Sequence, residues 1–334
     1  MKAIGLFSGG LDSALAAALM KQLGIEVHAV YFRQPWDEAD IGRISAVAGK
    51  VGVYFHVLDL GQNYLDMLKH PRYGYGKSFN PCIDCHRFMV KTAAEFMRET
   101  GARFVFTGEV VGQRPMSQKK QYLPLVEQET GLEGYLLRPL SANLLAPTIV
   151  EQKGWVPREK LLSISGRGRQ EQIKLSKEFG IDNYIPPGGG CLATEVPFGA
   201  RLKDFLTWSY CDPRETAVLK WGRYFRLSEG FVALLGRDER ENDLLETSAC
   251  PDDYLLQLMD IPGPLLLLKG KQPDPDILSL AGGIIQYYSK SKQCPSVKIC
   301  YSKAQRKDQE NFVLSKKVTE AELKTMERLR VRSG

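Results

Sequence analysis

The chain reads as an α/β domain with a doubly wound parallel sheet, followed by a second domain of α+β type. Three observations predict this. Through the first hundred residues, short apolar strand-like runs alternate with helix-like segments, and strands separated by helices pair in parallel through right-handed crossovers. The helix-like segments close on Gly24, Gly52 and Gly101, where helix C-caps belong. Beyond Arg201 the texture changes to closely spaced strand candidates around one convincing helix, which places a domain boundary near residue 200 and gives domains of 1–200 and 201–334.

Taken in order, residues 2–7 read as a buried strand and residues 12–23, rich in Ala, Leu, Met, Lys and Gln, as a helix. Residues 26–32 form the next strand, 40–51 a helix, 54–60 a third strand, 82–100 a helix and 103–107 a further strand. Residues 113–155 are irregular and rich in Pro, Gln and Lys, which suggests exposed loops; two helices follow, over 158–165 and 169–179. The run Pro186-Pro187-Gly188-Gly189-Gly190-Cys191 fits no regular element and implies a tight loop that something approaches closely. In the second domain, strands are expected over 223–227, 231–235, 265–269 and 297–301, with a helix over 277–288. No internal repeat is visible.

The 334 residues, 43% hydrophobic and 25% charged, suit two soluble domains with cores of their own. The longest apolar runs are too short to cross a bilayer, and Met1-Lys2 leads straight into a strand-like run, so no signal peptide is expected. A cytoplasmic protein with no membrane association follows as the expectation. Seven cysteines in a reducing compartment then suggest buried thiols, metal ligands or redox chemistry rather than a disulfide framework. The net charge of +6 is uneven: residues 286–334 hold 12 Lys/Arg against 5 Asp/Glu, and residues 237–276 hold 10 acids against 4 bases. Such a distribution attracts a polyanion to one side only.

The first strand runs directly into Ser8-Gly9-Gly10-Leu11-Asp12-Ser13 and then a helix. Glycines let backbone N–H groups approach phosphate oxygens, Ser8 and Ser13 add hydroxyl donors, and the helix start contributes its dipole. No Gly-Lys-Ser/Thr follows, so this is not the loop that cradles a transferable γ-phosphate. Asp12 is suited to Mg²⁺ bridging phosphates. The hexamer resembles the signature of the PP-loop, or N-type ATP pyrophosphatase, family, whose adenine nucleotide alpha hydrolase-like fold is Rossmann-like. The resemblance covers about residues 1–200. It implies cleavage of ATP between the α and β phosphates to adenylate a substrate, adenine resting against backbone near Tyr31 and Phe32, and Thr107-Gly108 lining the nucleotide pocket.

Asn80-Pro81-Cys82-Ile83-Asp84-Cys85-His86 puts two thiols at the start of a predicted helix, where a lowered pKa favours a nucleophile or a metal ligand. Cys-x-x-Cys-His also fits haem c attachment, but that maturation needs export and is discounted. Paired ligands for zinc are lacking, since Cys211, Cys250, Cys294 and Cys300 are scattered, and no thioredoxin pattern surrounds the motif. Together with Cys191 on the glycine loop, these segments resemble the two cysteine stations of the tRNA thiolation enzymes of the PP-loop family. Cys82 stands where the 2-thiouridylases have Asp. The trio instead resembles the iron–sulfur branch, in which three cysteines bind three irons of a [4Fe–4S] cluster. That resemblance implies Cys82, Cys85 and Cys191 as cluster ligands, with the cluster favoured over a persulfide route.

Arg114, Lys119 and Lys120 follow the Thr107-Gly108 strand end, and Arg167, Arg169 and Lys174 precede the cysteine loop; a minority of these cations is expected to touch RNA. Arg138-Pro139-Leu140-Ser141 resembles a family motif close to the nucleotide, and Arg201 is ambiguous. From Gly222 to residue 305 the chain resembles, more loosely, the NFACT-R RNA-binding domain; Tyr287, Tyr288 and Tyr301 could stack on bases there or sit in a core. The expected function is ATP-dependent transfer of sulfur to a tRNA uridine, with tRNA and a sulfur donor, sulfide or a persulfide carrier, as partners. A PP-loop ligase or amidotransferase on a small metabolite and a non-catalytic RNA-binding factor are the alternatives.

Overall fold

The computed structural model describes residues 1–114, 116–186, 191–207, 212–259, 261–306 and 308–327, and the chain divides into two compact units, Met1–Cys191 and Leu192–Gly334. The first unit is built on a five-stranded parallel sheet. Its strands are β1 (Lys2–Leu6), β2 (Glu26–Arg33), β3 (Tyr54–Asp59), β4 (Phe104–Thr107) and β5 (Leu136–Leu137), in the order β3-β2-β1-β4-β5. The helices are α1 (Leu11–Gln22), α2 (Ile41–Val51), α3 (Gln62–Lys69), α4 (Cys82–Thr100), α5 (Leu123–Thr130), α6 (Ile149–Gln152) and α7 (Gln170–Glu178). Because β1 pairs with both β2 and β4, strand order reverses beside it, and open parallel sheets bind ligands in the crevice at that reversal, at the carboxyl ends of the strands. The core is small and aliphatic around α1, whose Ala14, Ala16 and Ala17 are buried together with Leu15. Small side chains let this helix lie close over the sheet, which fixes its first turn relative to the strand ends.

The alternating strands and helices expected from the first hundred residues are present, with α2 and α4 ending at Gly52 and Gly101. Two expectations are corrected. The segment 113–155 is not merely exposed loop: it contains α5, α6 and the strand β5, and Leu136, Leu137 and Leu140 are buried. The helix expected over 158–165 reduces to a single 3₁₀ turn, Arg158–Lys160. Beyond it the backbone N–H groups of Leu162 and Ile164 donate to Pro139 and Leu140 carbonyls at 2.9 and 2.8 Å. Pairing with a neighbouring extended segment thus replaces the helical bonds.

The second unit holds α8 (Val196–Phe205) and a six-stranded antiparallel sheet of β6 (Arg223–Ser228), β7 (Phe231–Leu235), β8 (Tyr254–Leu258), β9 (Leu266–Lys269), β10 (Lys298–Lys303) and β11 (Asn311–Leu314). Their order is β11-β10-β8-β9-β7-β6, with α9 (Glu239–Thr247), α10 (Pro275–Tyr287) and α11 (Glu320–Met326) in the same unit. Ile284 and Ile285 of α10 close a core with Leu256, Leu266, Leu268 and Ile299. Strands β8 and β11 were not expected from the sequence; both lie close to charged residues, Asp252 and Asp253 before β8 and Lys316 and Lys317 after β11. No described helix is long and apolar enough to cross a membrane.

Candidate nucleotide and thiol site

β1 ends at Leu6, and Phe7 N donates to Val30 O at 2.8 Å, so the chain leaves the sheet still held to β2. The turn that follows needs a left-handed residue, supplied by Gly9 at φ +72°. Gly10 occupies the N-cap of α1 without any side-chain cap, so the first N–H groups of the helix keep their donors for an outside acceptor. Ser13 Oγ donates to Gly10 O at 2.9 Å and Ser8 N approaches it at 3.3 Å, bracing the loop from within. Asp12 Oδ2 accepts from Gln113 Nε2 at 2.7 Å, while Asp12 Oδ1 is buried with no hydrogen-bond partner among the described residues.

Two further segments fix this loop. Gly108 lies so close to α1 that a Cβ there would sit 2.7 Å from the Asp12 backbone and the Ser13 Cα. Only glycine lets the end of β4 approach the loop in this way. Gly108→Ala should therefore push the first turn of α1 out of place and lower the melting temperature, since a clash with backbone in a packed interior costs about 1–3 kcal/mol. An unchanged melting temperature would show the contact to be dispensable. On the other side Ile185 N donates to Gly9 O at 2.7 Å and Ile185 bridges Gly10 in parallel. The segment leading to Cys191 thus starts against the phosphate loop; the Pro187–Gly190 portion of the predicted glycine loop lies outside the described residues.

At the end of β2, Phe32 is buried and the Tyr31 hydroxyl donates to Asp37. Burial first, and then the Asp37 carboxylate, push the Tyr31 phenol well above its ordinary range. Both side chains are thus engaged by the protein. Thr107 is buried, and its hydroxyl donates to Glu109 Oε2 at 3.1 Å.

The thiols belong to one neighbourhood. Cys82 and Cys85 lie in the first turn of α4, three residues apart and so on one face. Asn80 Nδ2 donates to Cys82 Sγ at 3.2 Å. Buried Asp84 accepts from the backbone of Arg72 and Tyr73 at 3.1 and 2.9 Å, tying the preceding segment over the helix. Cys85 Sγ lies 3.1 Å from the Tyr64 hydroxyl and 3.9 Å from Gln34 Nε2, and Cys191 Sγ donates to Gln34 Oε1 at 3.5 Å. Gln34, the first residue past β2, therefore joins two thiols from distant parts of the chain, and its Nε2 also donates to Tyr64 at 3.0 Å. Burial pushes the Cys85 thiol up to about 12, with Cys191 and Cys82 adding to the rise. Among the described residues no three Cys, His, Asp or Glu side chains converge on a point suited to a single metal ion. Cys211 lies outside the described residues, and Cys300 is buried in the second unit.

Beneath the thiols runs a buried array that residue patterns did not reveal. Glu109 Oε1 lies 3.0 Å from His86 Nε2, and its Oε2 accepts from Arg138 Nε at 3.0 Å. Arg138, 3% exposed, also pairs with Glu127 and donates to Leu123 O at 3.2 Å. Arg138 of the motif is thus a buried brace. Arg201 is likewise structural, donating to the carbonyls of Leu219 and Gly222 at 2.9 and 3.0 Å. Arg114, Lys119, Lys120 and Arg167 are exposed and Arg169 is half-exposed at the start of α7. The bridge between Val111 and Ser165 brings their two segments side by side. Lys174 faces Glu178 at 3.9 Å. Gln113, which holds Asp12, is itself held by Gln172 of α7 at 3.3 Å. Gln34, Tyr64, Gln113 and Glu109 carried no sequence signal, since isolated polar residues near strand ends are common.

A parallel sheet with an uncapped, glycine-turned loop at its reversal, and no lysine in that loop, is the arrangement expected of a PP-loop nucleotide fold. Comparisons agree and go further. Residues 1–143 match the family described as thiamine biosynthesis protein (ThiI), and residues 222–326 match the NFACT protein RNA binding domain. The tRNA-specific 2-thiouridylase MnmA of Nitratiruptor is 35% identical over 197 residues, covering 55% of this chain and 57% of that protein. Its counterpart from Campylobacter lari is 33% identical over 116 residues, 32% of this chain and 34% of that protein. A solved 4-thiouridine synthetase–RNA complex with bound ATP aligns at 22% identity and a TM-score of 0.41, over 58% of this chain and 46% of that chain. The N-terminal part of the chain is thus similar to tRNA-thiolation proteins, and residues 222–326 to the NFACT RNA binding domain. It spans only about a third of the length of the Campylobacter relative and somewhat over half that of the Nitratiruptor one.

Proposed function

We propose that the protein is an ATP-dependent tRNA uridine sulfurtransferase. The observation that carries this reading is the meeting of Cys85 and Cys191 on Gln34, at the end of a strand adjacent to the one that carries the phosphate loop. An adenylating ligase needs no such thiols, and their place beside the loop is what a sulfur transfer following adenylation requires.

ATP binds with its phosphates on the uncapped start of α1, whose N–H groups and dipole stabilise the charge that collects on departing pyrophosphate. The unpartnered Asp12 Oδ1 fits Mg²⁺, which favours carboxylate oxygen and would neutralise part of that charge. A uridine carbonyl oxygen attacks the α-phosphorus and pyrophosphate leaves. A sulfur nucleophile then adds to the base carbon, and the oxygen departs with AMP, so that C=O becomes C=S. Adenylation turns a poor leaving group into a good one. The thiol donor set is soft: Cys85 and Cys191 meet through Gln34, and Cys82 lies on the same helical turn as Cys85. This suits Cys82, Cys85 and Cys191 to hold a multi-iron [4Fe–4S] cluster, which would offer an open iron site for sulfide. Gln34 and Tyr64 orient two of those sulfurs. Phosphate contacts for tRNA come from a minority of the cations Arg114, Lys119, Lys120, Arg167 and half-exposed Arg169, and the target base leaves its stack to reach the site.

The test is direct. Anaerobically purified chain with ATP, Mg²⁺, sulfide and unmodified tRNA should yield a thiouridine by nucleoside mass spectrometry, with one AMP and one pyrophosphate per product. Pyrophosphate exchange without any thiouridine would leave an adenylating enzyme and remove the sulfur step.

A further inference from the structure

In the second unit, the sheet face that forms the core ends in an open cavity. Along β8, Tyr254, Leu256 and Leu258 share a face, and across the ladder Lys303, Tyr301 and Ile299 stand opposite them. Asn311 of β11 stands opposite Tyr301 on the same face. Helix α10 covers one end of this face, burying Leu256, Leu258 and Ile299. The other end, beyond the start of α10, borders a cavity of about 330 Å³ lined by Tyr254, Tyr301, Lys303, Arg306, Gln309 and Asn311.

These residues are not used up by the fold. Buried tyrosine hydroxyls ordinarily find partners, yet neither Tyr254 nor Tyr301 has a hydroxyl hydrogen bond among the described residues, and both remain half-exposed. Arg306 is exposed and enters no ion pair among the described residues. Lys303 faces Asp252 at 3.3 Å and stands 5.7 Å above the Tyr254 ring. Tyr287 and Tyr288 differ: Tyr288 packs against Phe225 at 6.0 Å, and Tyr287 meets Tyr288 edge-on at 5.2 Å. Two half-exposed tyrosines at the edge of the core, two carboxamides and a cationic rim form a chemistry that takes a flat, hydrogen-bonding, anionic ligand.

We infer that this cavity is the subsite in which the second unit grips an unpaired nucleotide of RNA. Tyr254 and Tyr301 offer ring surface to the base, Asn311 and Gln309 offer donors and acceptors to its edge, and Arg306 meets the flanking phosphate. The inference rests on the RNA-binding character of residues 222–326 and not on the sulfur chemistry. Its test therefore uses the full chain without ATP or a sulfur source.

A fluorescein-labelled ten-nucleotide oligouridine, followed by anisotropy at low salt, should bind the wild-type chain. Tyr301→Ala should weaken binding about ten-fold, in keeping with the loss of one stacked base, whereas Tyr301→Phe should bind like wild type. Arg306→Glu should weaken binding and flatten the salt dependence by about one contact. Ultraviolet crosslinking from a 5-bromouridine-substituted oligomer should label peptides containing Tyr254 or Tyr301. The inference is overturned if the wild-type chain does not bind the oligomer. It is equally overturned if Tyr301→Ala and Arg306→Glu, with wild-type circular dichroism, bind unchanged, or if crosslinks fall only within the first unit. A chain that binds in this way but makes no thiouridine would keep the subsite and lose the sulfurtransferase reading.

Discussion

Cys191→Ser should abolish thiouridine formation, by at least about 10³-fold, while leaving pyrophosphate exchange into ATP near the wild-type rate. The separation follows from geometry. The contacts that shape the phosphate loop come from Ser13, Gly108, Gln113 and Ile185, and none of them passes through a thiol. Cys191 meets the nucleotide side of the unit through Gln34, at the end of β2. Serine keeps a hydroxyl able to donate to Gln34 Oε1, so the local hydrogen bond survives and only the sulfur is lost. Cys85→Ser should give the same split, since Gln34 Nε2 still holds Tyr64 at 3.0 Å. Anaerobic iron content supplies a second readout: each substitution should lower bound iron relative to wild type. If Cys191→Ser retained full thiolation, the cysteine on the glycine loop would be a bystander. If it lost exchange as well, the two half-reactions would not be separable in the way the contacts indicate.

The largest effect on stability is expected from Glu109→Ala. Glu109 is 4% exposed and lies between His86, Arg138 and Thr107. Removing Glu109 takes from buried His86 and Arg138 the carboxylate they share, although Arg138 keeps Glu127, and breaking such a buried group costs about 3–5 kcal/mol, enough to lower the melting temperature by many degrees. The consequence for the site is as direct. His86 follows Cys85 and Thr107 precedes Gly108, so Glu109 joins the start of the thiol helix to the strand end that presses on the phosphate loop.

The pH dependence has a defined sign. Burial raises the Glu109 carboxyl, but His86 and Arg138 outweigh burial and hold it at about 2. A carboxyl depressed below its unfolded value of about 4.3 contributes stability above that value and loses it as pH falls toward the folded one. The melting temperature of the wild type should therefore drop between about pH 5 and pH 2. The gap between wild type and Glu109→Gln should narrow over the same range, because both carry a neutral group at the acid end. A gap constant from pH 7 to pH 3 would mean that Glu109 acts by shape and not by charge.

How much of this was legible in the sequence differs from residue to residue. The glycine turn and helix start at Ser8 to Ser13 were legible, because both are properties of adjacent residues. The same holds for Cys82 and Cys85, neighbours on one helical turn. Arg138 shows the opposite case. Its motif was visible, but whether its guanidinium faced solvent or Glu109 depended on β5 pairing with β4, and that two-residue strand is too short for any periodicity to betray it. The expected helix after Pro157 failed for a related reason, since Leu162 and Ile164 found backbone partners at Pro139 and Leu140 that no local preference encodes.

By itself, then, the sequence determined the parallel α/β order of the first unit, the glycine-turned loop that opens its first helix and the pairing of Cys82 with Cys85 on one helical turn, because each is written in short-range pattern. Only the tertiary structure decided that Gln34 would join Cys85 to Cys191, that Gln113 would hold Asp12, and that the face of β8 and β10 would open beyond α10. Those outcomes depend on which strands pair and where helices stop, contacts between distant residues whose energies come from packing and desolvation and leave no periodic trace along the chain.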